Sequence, residues 1–272
     1  MSDLQFEIDP SNLDRFALEH AESHKTAAPF PHTVIEDFAS PDALRGVIEE
    51  FPTKDHPNWT HMFDPDQNKF ASNDMRLLGP RTRHMIQALN DAPVINFLEK
   101  LTGISGLVPD PHLAGGGLHE MRPGGMLRVH ADFNFHKQIL LDRRINLLLY
   151  LNENWQTSYG GQLELWDTEM RGAVKTVEPV FNRCVIFETT DNSYHGNPNP
   201  VSCPPDRTRR SIAMYYYTNG RPEKEVSSSH GTLFRKRPGE GTAKEVSKDL
   251  VRDLFPPILW NAMKEVRKRT GI

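Results

Sequence analysis

The sequence predicts a mainly β domain with flanking helices whose strands close a small barrel, and three observations carry that expectation. From residue 126 onward, apolar, β-branched and aromatic residues fall in short runs divided by Gly, Pro, Asn and Asp clusters. The runs are MLRVHADF (126–133), RINLLLYLNENW (144–155), QLELWD (162–167), NRCVIFET (182–189) and RRSIAMYYYT (209–218). Residues able to hold a metal stand at the edges of these runs: His130 and Asp132 in the first, His195 directly after the fourth. The 272 residues, 37% hydrophobic and 25% charged, are enough for one large core, and no composition break marks a linker.

The chain therefore reads as a single domain, 1–272, in three parts without internal repeats. Residues 1–110 are expected to be mostly helical support with one or two strands and a candidate lid. FPHTVIEDF opens a strand, and Ser40-Pro41-Asp42 caps a helix running to about Glu50. A second helix is expected over His84 to Leu101, interrupted near Pro93 and stopped at Gly103. These helices should pack on the outer face of the larger sheet. Between them lies TKDHPNWTHMFDPDQNKFASND, a polar stretch with Trp59, Phe63 and Phe70 and no clear period, the first candidate for substrate contact. The barrel core is expected over 111–218. Residues 219–272 read as a loop, Asn219 to Glu245, which is the second candidate for substrate contact or a solvated connection. An amphipathic helix over Pro257 to Arg269 follows, with Leu259, Trp260, Met263 and Val266 on one face, for packing or dimerisation.

Side chains alternate along a strand with period two, so His130 and Asp132 share a face, and a distant His completes three facial ligands. Two imidazoles and one carboxylate bind Fe(II) while leaving positions open for a cosubstrate and O2. With 12 His in the chain, a lone His-x-Asp is weak evidence. The strands that surround this one separate it from a solvated surface pair.

These motifs in this order resemble the prolyl 4-hydroxylase-like branch of the Fe(II)/2-oxoglutarate dioxygenases, over roughly Pro31 to Thr218 and most closely from Arg128 onward. The resemblance implies a double-stranded β-helix, the cupin-like jelly roll. It implies His130, Asp132 and His195 as iron ligands and a basic residue on the last core strand for the C5 carboxylate of 2-oxoglutarate. Arg209 and Arg210 compete for that role. Only one can face inward, and Ser211 shares the face of Arg209, matching an Arg-x-Ser pattern of the superfamily, so Arg209 is chosen. Tyr150 matches a tyrosine that reaches the same carboxylate, and Leu163 an apolar residue of the cosubstrate pocket. The implied cofactors are Fe(II), 2-oxoglutarate and O2, with ascorbate as a stimulant, and the implied products are succinate, CO2 and an oxidised C–H bond. Related halogenases lack the carboxylate ligand, so Asp132 favours hydroxylation.

One departure stands upstream. Where relatives carry a Tyr before the His-x-Asp strand, this chain has HEMRPGGMLRVH, with Arg122 before Pro123. Arg122 is a candidate contact for an anionic substrate or a surface Arg beside a turn. If the strand stays regular, Asn134 and His136 continue the face of His130 and Asp132 and become substrate contacts; if it ends near Phe133, His136 lies on a loop.

A net charge of −4 gives no general attraction to nucleic acid or anionic membrane. Basic clusters such as Arg235-Lys236-Arg237 and Lys264 to Arg269 read as solvated faces. Two cysteines, Cys184 and Cys203, make no disulfide framework, and Cys184 sits in an apolar strand as a core residue. No leader or spanning segment is legible, so the cytoplasm and a monomer or homodimer are the expectations. The expected substrate is a small molecule, an amino acid or a carrier-bound intermediate, with a prolyl residue of a protein or peptide as the alternative. A metal-binding cupin-like enzyme or sensor that does not use 2-oxoglutarate would keep the ligands but have no use for Arg209 and Tyr150.

Overall fold

The computed structural model describes residues 7–240. Their elements are α1 (Pro10–Thr26), β1 (His32–Ile35), α2 (Pro41–Glu49), β2 (Thr60–Asp64), β3 (Gln67–Ser72), α3 (Pro80–Leu89), α4 (Ala92–Thr102), β4 (Val108–Pro109), β5 (Gly117–Met121), β6 (Met126–Ala131), β7 (Phe135–His136) and β8 (Leu141–Tyr150). They continue with β9 (Leu163–Trp166), β10 (Ala173–Val177), β11 (Cys184–Glu188), β12 (His195–Asn197), β13 (Arg209–Thr218) and β14 (Leu233–Phe234). Contacts divide the chain into a unit Met1–Arg235 and a unit Lys236–Ile272. Of the second, the described part is a turn in which Glu240 accepts from the backbone and guanidinium of Arg237. The amphipathic helix expected over Pro257 to Arg269 lies outside the described residues.

The strands pair in the order β1-β11-β8-β13-β5-β3-β6-β12-β9-β10, all antiparallel. The first five form one wall, β6-β12-β9-β10 form the other, and β3 pairs with both β5 and β6 at the join. This is the double-stranded β-helix expected. Alternation on the larger wall explains its two faces. Ile145, Leu147 and Leu149 of β8, Cys184 and Ile186 of β11, and Ile212, Met214 and Tyr216 of β13 join the helices in one buried core. Their neighbours Asn146, Leu148, Ser211 and Tyr215 turn inward to a cavity.

The helices start where the sequence supplies caps. The Ser40 hydroxyl accepts from Ala43 N, and Asp9 caps α1, a helix that the sequence pattern does not announce. The helix expected over His84 to Leu101 is two helices. Asn90 and Asp91 end one and cap the next, Pro93 sits in the first turn of α4, and Gly103 closes it at φ +76°. The larger correction falls on 53–74. Residues 60–72 of it are a hairpin: the Asp64-Pro65-Asp66 segment turns β2 into β3, with Asp64 accepting from the amides of Asp66 and Gln67, and β3 is the strand that joins the two walls.

Gly196 is required for a steric reason. A Cβ there would stand 2.8 Å from the carbonyl oxygens of both Leu127 and Arg128, so a side chain would push β12 off β6. Gly196→Ala is therefore expected to weaken divalent metal binding at least tenfold while the far wall keeps its strand content, by titration calorimetry and circular dichroism.

Candidate active site

β6 and β12 pair so that His195 stands opposite His130, their rings 4.4 Å apart at the centroids. Asp132 follows one residue beyond the end of β6. Ligand atoms of His130, Asp132 and His195 lie within 4.8 Å of one another. Each imidazole is fixed from behind by the carbonyl two residues earlier: His130 Nδ1 lies 2.8 Å from Arg128 O and His195 Nδ1 2.9 Å from Ser193 O. A carbonyl can only accept, so Nδ1 carries the hydrogen and Nε2 presents a lone pair inward.

Those lone pairs face a carboxylate. His130 Nε2 is 3.5 Å from Asp132 Oδ1 and His195 Nε2 is 3.4 Å from Asp132 Oδ2. Acceptors turned on one another in a buried place are reconciled by a cation, so this donor set fits a divalent metal held by two nitrogens and one oxygen. Asp132 is itself braced. Its Oδ2 accepts from Asn146 Nδ2 at 2.7 Å and lies 3.1 Å from the Arg143 guanidinium, which also donates twice to Asn146 Oδ1. Arg143 is enclosed between the rings of Tyr215 and Phe133, 3.5 and 4.4 Å from their centroids. Burial alone would raise the Asp132 carboxyl; Arg143, backed by His195 and His130, holds it well below the usual carboxylate range.

Burial pushes His195 down to about 4, with His130 adding to the fall and Asp132 opposing it. The unfolded chain takes this proton near 6.5 and the native state only near 4, so the unfolded state binds more protons between those values. Stability of the metal-free protein is thus expected to fall as pH drops from about 6.5 toward about 4 and to gain nothing from this group above that window. Urea midpoints at about pH 7, 6, 5 and 4 would show it; a flat profile would contradict it.

Arg209 and Ser211 of β13 line the same cavity as the triad, together with Leu163. Arg209 Nε donates to Gly161 O at 2.6 Å and its NH2 to the Tyr150 hydroxyl at 3.3 Å. No carboxylate among the described residues pairs with this buried guanidinium, and burial lowers its affinity for a proton. Burial likewise raises the Tyr150 phenol. A buried cation with two neutral acceptors is short of one anion. Arg210 faces the other side, donating to Thr208 Oγ1 and lying 3.7 Å from Glu120.

The candidate substrate residues fall elsewhere. Arg122 donates to Glu120 at 2.8 Å and to Lys54 O, and lies 3.8 Å over the Phe70 ring, so its charge is already answered. Asn134 ties down the segment after β13, donating to Ser227 and Ser228 and accepting from His230 N. His136 forms the short β7, 3.3 Å from Asp110 and edge-on to Tyr217. The chain leaves the His130 face after Ala131, and none of the three lines the cavity of the triad. The segment after β13 is more than a solvated connection. Its β14 pairs with β6, placing Phe234 opposite His130 with rings 5.6 Å apart.

Sequence reasoning missed Lys69, His119, Asn146 and Tyr215 on the cavity wall and Arg143 behind it. Asn146 was within reach: it is a polar residue on the inward phase of an otherwise apolar strand. Lys69 was hidden by the unrecognised hairpin.

Fold and site together define a double-stranded β-helix protein with a facial metal triad beside a buried anion-seeking arginine. Residues 116–217, which contain the triad, Tyr150 and Arg209, match the model of the 2OG-Fe(II) oxygenase superfamily. The chain is 29% identical over 209 residues to the mouse prolyl 3-hydroxylase OGFOD1, covering 72% of this chain and 35% of the relative, about a third of its length. A prolyl hydroxylase of Trichoplax adhaerens, solved with a hypoxia inducible factor peptide, shares the fold with a TM-score of 0.56 at 18% identity, covering 79% of this chain and 93% of that one. A prolyl 4-hydroxylase of Phytophthora capsici does so with 0.53 at 19% identity, covering 80% and 68%. Over residues 116–217 the chain is thus similar to the 2-oxoglutarate-dependent non-haem iron dioxygenases, and the curated relative it matches over 209 residues is a prolyl hydroxylase. Among the described residues no helix is long and apolar enough to cross a membrane.

Proposed function

We propose that this chain hydroxylates an unactivated C–H bond of a prolyl residue in a peptide or protein, converting 2-oxoglutarate to succinate and CO2. His130, Asp132 and His195 hold Fe(II), and Arg209 with Tyr150 holds the far carboxylate of the cosubstrate. The observation that carries this reading is the buried, carboxylate-free Arg209 guanidinium in the same cavity as the triad. When bound, the iron supplies the redox chemistry that couples decarboxylation of 2-oxoglutarate to oxidation of the substrate. The protein's own part is orientation. The Arg128 and Ser193 carbonyls keep both Nε2 atoms inward, Asn146 and Arg143 fix one oxygen of Asp132, and Leu163 keeps water from the cosubstrate.

The prolyl target is supported by the identity to the mouse prolyl 3-hydroxylase. The other substrate class is a free amino acid, another small molecule or a carrier-bound intermediate, and the same experiment separates the two. The protein is loaded anaerobically with Fe(II), exposed to air with 2-oxoglutarate, and assayed for succinate with prolyl peptides, free amino acids and metabolites. The expected result is succinate stimulated by a prolyl peptide that gains one oxygen in mass. No succinate from metal-loaded protein would overturn the reading in favour of a metal protein that does not use 2-oxoglutarate.

A further inference from the structure

We propose that Lys69 is the receptor for a carboxylate carried by the substrate close to the carbon that is oxidised. This rests on the function proposed above and names a chemical feature of its substrate. Lys69 lies on β3, half-buried, and lines the cavity shared by His130, Asp132, His195 and Arg209. Among the described residues no hydrogen bond or ion pair engages its ammonium.

Charge on the cavity wall makes the case. Among the described residues the lining carries two cations, Lys69 and Arg209, and one carboxylate, Asp132; the remaining polar groups are amides, hydroxyls and imidazoles. His119 is held neutral, pushed down to about 3 by burial and then by Lys69. A divalent metal would be held by Asp132 with His130 and His195, and Arg209 would answer a carboxylate of a dianionic cosubstrate. The wall is then left with one positive charge, on Lys69. Arg143, already committed to Asp132, adds positive potential behind it. An ammonium taken partly out of water needs an anion, and the one carboxylate on this wall is already engaged. Burial draws the group down to about 8, with Asp132 opposing and Arg143 and Arg209 adding to the fall, so it still carries its charge at neutral pH. Lysine suits a single compact anion, whereas the forked contact falls to Arg209.

The carboxylate has two sources: the free carboxylate of a small amino acid, or an Asp or Glu side chain beside a target proline. Both are tested on the whole chain loaded with Mn(II) and 2-oxoglutarate under argon, with binding read by titration calorimetry. One arm pairs N-acetylproline with its amide; the other pairs prolyl peptides that carry Glu or Gln beside the proline. The wild type is expected to favour the carboxylate member of one pair by roughly 10- to 100-fold, the worth of a charge-assisted contact. The arm that shows the preference names the source. Lys69→Gln should bring the ratio to about one, and Lys69→Glu should reverse it. Equal binding of both members in both arms, or a preference that survives Lys69→Gln, overturns the proposal. Binding is read without turnover. Absent succinate formation from Fe(II)-loaded protein would therefore defeat the proposed function, while the binding ratio tests Lys69 independently of it.

Discussion

Arg209→Met is expected to raise the 2-oxoglutarate requirement by roughly 100- to 1000-fold if, as proposed, its guanidinium holds the far carboxylate of the cosubstrate through charge-assisted bonds. The same change should not destabilise the protein without ligand. Among the described residues the buried guanidinium has only Gly161 O and the Tyr150 hydroxyl to accept from it. A methionine of similar length removes that uncompensated charge and keeps the packing. The two effects therefore have opposite signs, which an indiscriminate structural defect cannot produce. Thermal melts with and without 2-oxoglutarate, in the presence of Mn(II), separate them: the wild type rises with cosubstrate, and the variant melts at least as high alone but does not respond. Arg210→Met is the control for register. Its side chain faces Thr208 and Glu120, so the cosubstrate response should survive. Loss of response in Arg210→Met and not in Arg209→Met would place the cosubstrate on the other face of β13.

What the sequence made legible was whatever a strand's period of two controls. The β13 run is bounded where the apolar run is bounded, Arg209 and Ser211 share the inward face, and the His-x-Asp spacing puts both groups beside His195. The losses came where tertiary pairing decides. The alternation of β3 is interrupted by Asn68 and Lys69, on a strand whose setting is made by its pairing with β5 and β6 rather than by its own neighbours in sequence. After Phe133 the sequence left two readings open, a regular strand carrying Asn134 and His136 on the His130 face or a loop, and the strand ends earlier, at Ala131. In the structure Asn134 bonds to 227–230 and the chain turns into β7. Arg143 and Arg144 are adjacent charges at the head of an apolar run, and nothing among their neighbours in sequence marks them for burial. Both are buried, Arg143 against Asp132 and Arg144 near Glu225.

Arg143 is where the largest stability effect is expected. Arg143→Met leaves the Asp132 carboxylate buried without its cation and Asn146 Oδ1 without either donor. Breaking a buried pair in this way costs about 3–5 kcal/mol. Loss of the guanidinium from between Phe133 and Tyr215 adds to the cost. The carboxyl of Asp132 should also rise toward its ordinary range and beyond, because Arg143 is the chief group holding it down against burial. A divalent metal bound by the triad would restore positive charge to that carboxylate, so the variant should be rescued by metal more than the wild type is. The difference in melting temperature between metal-loaded and metal-free protein is then larger in Arg143→Met, although its metal affinity at acid pH is lower because protons compete for Asp132. Unfolding of both proteins with Zn(II) and with a chelator, at about pH 5 and about pH 7.5, measures all of these. An equal metal-induced rise in the two proteins would mean that Arg143 supports the wall of β8 and β13 without bearing on the carboxylate it touches.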